Sequence, residues 1–468
     1  MNKIFTLACL CFFVSANAQF LESKPPTDRE LKINNANDVA TLMRVAMIAK
    51  KEGKYDDLIK ALEKVVKLKP SIPVFQYKLA QAYSLAGKKS EAYNALIALQ
   101  KQGIYYDLAN DPDLETIKVH NVFNYIKENM DVSGKHYGEG IEAFNINKSF
   151  SGLLFESLTF DEKSQSFLMG SLRDGSVIKV ESNGNISRLV EPTPGGKNGP
   201  WAALSLAADS KNNVLWVASA AISQFGKVDK ETSGLSGIFK YELDTGKLIS
   251  SILVPENKRP TFIRDMHLTP KGDLFFIDGI KNLVLKIGKD SNDITVAFAT
   301  QKYQNLRSIT SDETGDILYV SDNEEGIIIL SLKDQQIFNF SNKPDLNLTG
   351  ISDMLFDDNS LIILQNGFKP ERIMRLKLND SKFVINRIIP IEAANPQFNN
   401  LSYGAVVGEG LFFIANSQLP KTNLYGALLP GQEWEHMVVL STNKHYKEAE
   451  TIKFQEELEK QKQKVGGK

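Results

Sequence analysis

Residues 307–322 read RSITSDETGDILYVSD, and the run decides the fold because it is one of six. The other copies are ESLTFDEKSQSFLMGS (156–171), LSLAADSKNNVLWVAS (204–219), RDMHLTPKGDLFFID (264–278), SDMLFDDNSLIILQN (352–366) and YGAVVGEGLFFIAN (403–416). Each pairs two short apolar, period-two runs across a turn, which is the pattern of adjacent β-strands. A turn residue stands five positions after the first residue of every copy: Asp161, Asp209, Thr269, Asp312, Asp357 and Gly408. Copies recurring every roughly forty to sixty residues match one four-stranded blade each, so residues 138–443 are expected to form a six-bladed β-propeller. An open sandwich has no reason to repeat one unit six times. A strand within 138–147 is expected beside the last blade, closing the ring.

Upstream the periodicity changes. After a polar lead-in (19–35), residues 37–130 carry few prolines and repeat Ala, Leu, Lys and Glu at helical spacing. Two segments align at a constant offset: Ala46 with Ala80, Gly53 with Gly87, Leu58 with Ala92, Leu62 with Leu96 and Val65 with Leu99. Small residues where helices would touch, Gly at the turn, Tyr55 after it and Pro70 at the end resemble the tetratricopeptide repeat. That resemblance implies a groove that receives a protein or peptide. The fold class is therefore multidomain, a short tetratricopeptide-like helical array followed by an all-β propeller. Two repeats are few for a free-standing array, so residues 103–130 are expected to cap it, or the array to lean on the next domain.

The ends have their own logic. Residues 1–18 join Lys3, an apolar run and Ala16-Asn17-Ala18, the pattern of a cleaved signal peptide too short to span a bilayer. Cys9 and Cys11 both lie within it, so the expected exported chain, periplasmic or extracellular in a bacterium, has no disulfide. The tail, 444–468, has Glu and Lys at helical spacing and is expected to be a solvated helix. Across 468 residues, 42% hydrophobic and 24% charged content is that of a folded protein. A formal charge of −1 leaves no global field for nucleic acid or anionic membranes. Gly-x-Ser-x-Gly, His-Glu-x-x-His and phosphate-binding Gly loops are absent from the sequence.

The units DETGDILYVSD (312–322) and PKGDLFFID (270–278) make residues 150–440 similar to the gluconolactonase and senescence-marker-protein family of six-bladed propellers. The resemblance implies a calcium-like divalent cation at the channel mouth, held by a Glu, an Asn and an Asp from inner-strand starts, that activates a lactone or ester. The first residues of the six copies make the corresponding ring: Glu156, Leu204, Arg264, Arg307, Ser352 and Tyr403. Glu156 matches the family's glutamate, whereas Arg264 and Arg307 stand where its asparagine and aspartate would be. A guanidinium has donors and no acceptor, so it repels the cation those oxygens would attract. Glu156 and the two arginines are expected to pair with one another, and no metal is expected.

The next column is Ser157, Ser205, Asp265, Ser308, Asp353 and Gly404. A one-residue slip would present Asp265 to the mouth, and Glu156, Asp265 and Asp353 would then form a metal site. The leading reading is an exported binding or scaffold protein whose mouth residues (Glu156, Arg264, Arg307, Ser352, Tyr403, with Asp265 and Asp353) take an anionic small molecule or side chain. A self-neutralised network without a ligand weighs equally. The alternative is a divalent-metal-dependent lactonase or ester hydrolase. His267 has the chemistry of an acid or base, but packed histidines are commoner. The loops at 191–201 and 219–237 are candidates for the rim, the second also for a lid.

Overall fold

The computed structural model describes residues 27–256, 260–342 and 344–466; the expected signal segment, 1–18, lies outside them. They divide into two compact units, one ending at Leu68 and the other beginning at Lys69. No helix among the described residues is long and apolar enough to cross a membrane.

The first unit holds helices α1 (Asp28–Asn35), α2 (Val39–Lys51) and α3 (Tyr55–Leu68). The lead-in is thus partly helical, against expectation. Thr27 and Glu30 form a reciprocal capping box, with Glu30 N donating to Thr27 Oγ1 and Thr27 N to Glu30 Oε2. That closes two otherwise orphaned donors and lets so short a helix start. Buried Ala46, Ala49 and Ala61 let α2 and α3 approach closely, and Gly53 turns between them at φ 68°.

In the second unit the same plan recurs 34 residues on. Helices α4 (Pro73–Leu85) and α5 (Lys89–Lys101) flank Gly87 at φ 71°, and Ala80 and Ala92 are fully buried. Helices α6 (Glu115–Lys118) and α7 (Asn121–Ser133) follow, and Phe123, Ile126 and Met130 of α7 join Leu96 and Leu99 of α5 in one core. Phe368 of the propeller packs against that core, so α4–α7 lean on the next domain. The junction is polar as well as apolar. Arg372, beneath which Phe368 lies 4.9 Å away, donates from Nη1 to the carbonyls of Gln102 and Gly103, both at 3.0 Å, and from Nε to Gln365 Oε1 at 2.8 Å. Asn347 Nδ2 donates to Ser71 O and to Gln102 Oε1, each at 2.9 Å.

The propeller consists of six four-stranded antiparallel sheets. Their innermost strands are Thr159–Asp161, Ala202–Asp209, Ile263–Leu268, Leu306–Ser311, Ile351–Asp357 and Ser402–Val407, in blades 1 to 6. The last blade takes its outermost strand, Ile141–Ile146, from before blade 1; it pairs antiparallel with Met437–Asn443, which is the expected closure. A short helix α8 (Lys148–Ser151) links that strand to blade 1. Alternation sets the packing. On the second strand of blade 3, Leu274 and Phe276 enter a core shared with blade 2, while Phe275 and Ile277 enter one shared with blade 4. Each blade is therefore apolar on both faces, unlike a sheet with one wet side.

The turn residues have separate tasks. Asp312 Oδ1 accepts from Asp316 N (2.9 Å) and Ile317 N (3.0 Å), tying its hairpin, and Asp357 forms ion pairs with fully buried Arg375 at 3.1 Å and with Lys444 at 3.0 Å. Helix α9 (Glu448–Gly466) runs beside the outer strand of blade 5, where Gln455 Nε2 donates to Ile388 O at 2.6 Å.

Arg372→Ala would take their shared donor from the part-buried carbonyls of Gln102 and Gly103, just past α5, and from Gln365 Oε1. A loss of about 2–3 kcal/mol is expected. Hydrogen exchange should then accelerate in α5–α7 while the strands of blades 1–3 stay protected.

Candidate functional site: an arginine-lined channel mouth

The six first-copy residues converge. Glu156, Leu204, Arg264, Arg307, Ser352 and Tyr403 all line one cavity of about 480 Å³ at an end of the central channel. Their neighbours line a different cavity, of about 340 Å³, that contains Ser157, Ser205, Asp265, His267, Asp353 and Gly404, with Tyr403 bordering both. Glu156 thus stands apart from Asp265 and Asp353, which face the other end.

Asp265 and Asp353 have their oxygens occupied. Asp265 Oδ1 accepts from Ser205 Oγ and Met266 N, both at 2.9 Å, and Oδ2 accepts from Ile309 N at 2.9 Å. Asp353 repeats the arrangement, accepting from Ser308 Oγ (3.0 Å), Met354 N (2.8 Å) and Gly404 N (2.8 Å). Each carboxyl therefore ties its own inner strand to the strands on both sides. Burial raises the pKa of Asp265 to about 7, with a further push from Asp353, and burial raises that of Asp353 as well. His267 Nε2 lies 2.9 Å from Ser311 Oγ, and desolvation lowers its pKa to about 4, keeping it neutral.

At the arginine mouth the electrostatics differ. Among the described residues neither Arg264 nor Arg307 forms a hydrogen bond or ion pair, and the Nε of each is buried without a partner. Burial, then the charge of Arg307, lowers the Arg264 pKa to about 10; burial also lowers that of Arg307. Both remain cationic near neutrality. Phe262 lies 5.4 Å from the Arg264 guanidinium carbon and supports it by cation–π attraction.

Glu156 does not pair with the arginines, contrary to expectation. It precedes the inner strand of blade 1 and accepts a hydrogen bond from Ser417 Oγ, on the connection between the second and third strands of blade 6. Burial raises its pKa to about 7. Tyr403 is raised beyond the usual phenol range, first by burial and then by Glu156, so it stays a neutral donor. Ser352 Oγ is 3.1 Å from both Leu364 O and Leu401 O, which commits its proton to backbone.

Sequence reasoning passes over part of the rim. Asn323, Asn366, Asn400 and Gln224 line the same cavity. Asn366 ends its repeat copy and Asn323 directly follows one, so the offset count carried that signal; Asn400 lies outside any copy. Ile222 and Gln224 place the 219–237 loop on the cavity wall, and Ser223 Oγ anchors it by donating to Leu424 O at 2.7 Å.

A calcium-like ion does not fit this mouth. It needs several converging oxygens, whereas one carboxyl here faces two guanidinium groups and the other two carboxyls are held elsewhere by N–H and O–H donors. Among the described residues no three acidic, His or Cys side chains cluster as metal ligands.

No family model matches the sequence, and no curated protein does. Solved structures do match the propeller. The PQQ-bound aldose sugar dehydrogenase of Streptomyces coelicolor is 10% identical, with TM-score 0.44 over 66% of this chain and 99% of its own. A gluconolactonase from Xanthomonas campestris is 12% identical, with TM-score 0.42 over 65% and 98%. Regucalcin, a calcium-binding protein from Agrobacterium tumefaciens, is 13% identical, with TM-score 0.44 over 66% and 93%.

Two outcomes follow from these environments. Asp353→Asn should cost about 1–3 kcal/mol, because its amide either confronts the Gly404 N–H or abandons Ser308; chemical denaturation checks it. The folded state holds the Glu156 proton more tightly than the unfolded chain, whose pKa is near 4.5, so this carboxyl lowers stability as pH rises from 4.5 to 7. Glu156→Gln should therefore gain on the parent by about 1–3 kcal/mol between pH 4.5 and pH 7.5, read from thermal midpoints across that range.

Proposed function

We propose that the chain is an exported binding protein whose propeller mouth captures an anionic group, on a small molecule or a partner's side chain. In this reading the helical hairpins are tetratricopeptide-like and offer a peptide surface. The observation that carries the proposal is the unpartnered pair Arg264 and Arg307 in one cavity with the phenol of Tyr403. Two partly desolvated guanidinium groups without a counter-ion repel each other, and an anion between them relieves that repulsion while accepting charge-assisted hydrogen bonds. Glu156 favours occupancy when protonated and opposes it when ionised. Support for the helical part is the repeated hairpin geometry about Gly53 and Gly87.

The metal-dependent lactonase reading has less support, since the one carboxyl among the lining residues shares the cavity with two guanidinium groups that repel a cation. Lactone and aryl-ester turnover that a chelator abolishes and Glu156→Gln removes would reverse the order of the two readings.

Calorimetric titration with acetate, benzoate and inorganic phosphate tests the anion site. Arg264→Ala and Arg307→Ala should each weaken binding about 10- to 100-fold. Parent affinity should fall as pH rises from 6 to 8, because Glu156, with its pKa near 7, becomes a second anion in the cavity. Unchanged affinity in both arginine variants would end the proposal.

A further inference from the structure

A third cavity, of about 400 Å³, adjoins the arginine mouth, with Asn323 and Gly367 lining both, and runs between the start of α4, the 105–107 segment and the blade 4 and 5 loops. Its character is opposite: Ile72, Pro73, Val74, Tyr106 and Phe368 give it a mainly apolar wall. Val74 is 42% exposed although it borders this groove. The Tyr106 ring is held flat against Tyr77 at 3.8 Å, so the wall is rigid. At the shared edge, Gly350 and Gly367 pack backbone to backbone. A Cβ on Gly350, at φ 63°, would stand 2.8 Å from Gly367 Cα, and one on Gly367 only 2.4 Å from Gly350 Cα. Neither position can carry a side chain, which leaves that edge as bare backbone. The nearby charges are already engaged: Lys369 with Glu371 at 2.6 Å, and Asp107 with Asn110 at 2.6 Å.

We propose that the occupant is an amphipathic anion, a carboxylate gripped at Arg264 and Arg307 whose apolar tail lies in the groove between α4 and the propeller. This deepens the anion-binding reading and rests on it. A hydrated inorganic anion would use the mouth and leave the groove empty. An apolar molecule without charge would leave the arginines unpaired. Only a ligand with both parts fills the two adjoining cavities.

The test is calorimetry on the purified full chain at pH 6.5 with acetate, butyrate, hexanoate and octanoate, then phenylacetate and phenylbutyrate, with 1-octanol as the uncharged control. Affinity should rise roughly three- to fourfold for each methylene that enters the groove. Octanol should bind at least about tenfold more weakly than octanoate. The phenyl acids report whether the groove takes a ring or only a chain. Val74→Asp, at an exposed position in the first turn of α4, should flatten the dependence on chain length; that slope is the readout. Equal affinity for acetate and octanoate would overturn the tail inference while leaving the anion site standing. No binding by any carboxylate would remove the anion site and this inference with it. Octanol matching octanoate, or an unchanged slope in Val74→Asp, would also overturn the inference.

Discussion

Two carboxyl groups tie together the inner strands that surround the channel. Among the described residues Asp265 and Asp353 are buried without a counter-ion, which is costly unless hydrogen bonds replace the lost water. Main-chain N–H groups and serine hydroxyls of adjacent blades supply them. Each aspartate thereby holds three successive inner strands in a common register. Arg264 and Asp265 are consecutive residues at a bulge in the inner strand of blade 3, and they line different cavities.

The mouth inherits an unusual balance of charge. Among the described residues the two guanidinium groups form no hydrogen bond or ion pair, and the carboxyl in the same cavity is turned towards Ser417 and resists ionisation. A pore entrance built to hold a cation has the opposite sign. Buried Arg375, by contrast, meets Asp357 directly.

Much of the fold was legible because it repeats. The five-residue offset from Glu156, Arg264 or Tyr403 to its turn needs only counting, and it assigned the mouth residues to one ring before any contact was known. The same count puts Asp265 and Asp353 in a second column beside the first. What resisted reading was pairing across long separations. Ser417 reaches Glu156 from a loop outside the repeats, and no local pattern announces such a partner. The groove is similarly hidden, since Tyr106 and Phe368 belong to different domains and meet only when α4–α7 rest on blade 5. Helix α1 is another case: Thr27 and Glu30 spell a start signal, but the stretch they open is polar and lacks the apolar periodicity of a packed helix.

The seam of the ring has a kinetic meaning. Ile141 meets Ser441 across about 300 residues, and closing a loop of that length costs about 5 kcal/mol of chain entropy before any pairing repays it. A nascent chain cannot make this join until its last strand is released from the ribosome. For most of its synthesis the first blade therefore has an open flank, so the assembling ring needs shelter from neighbouring chains until the ends meet.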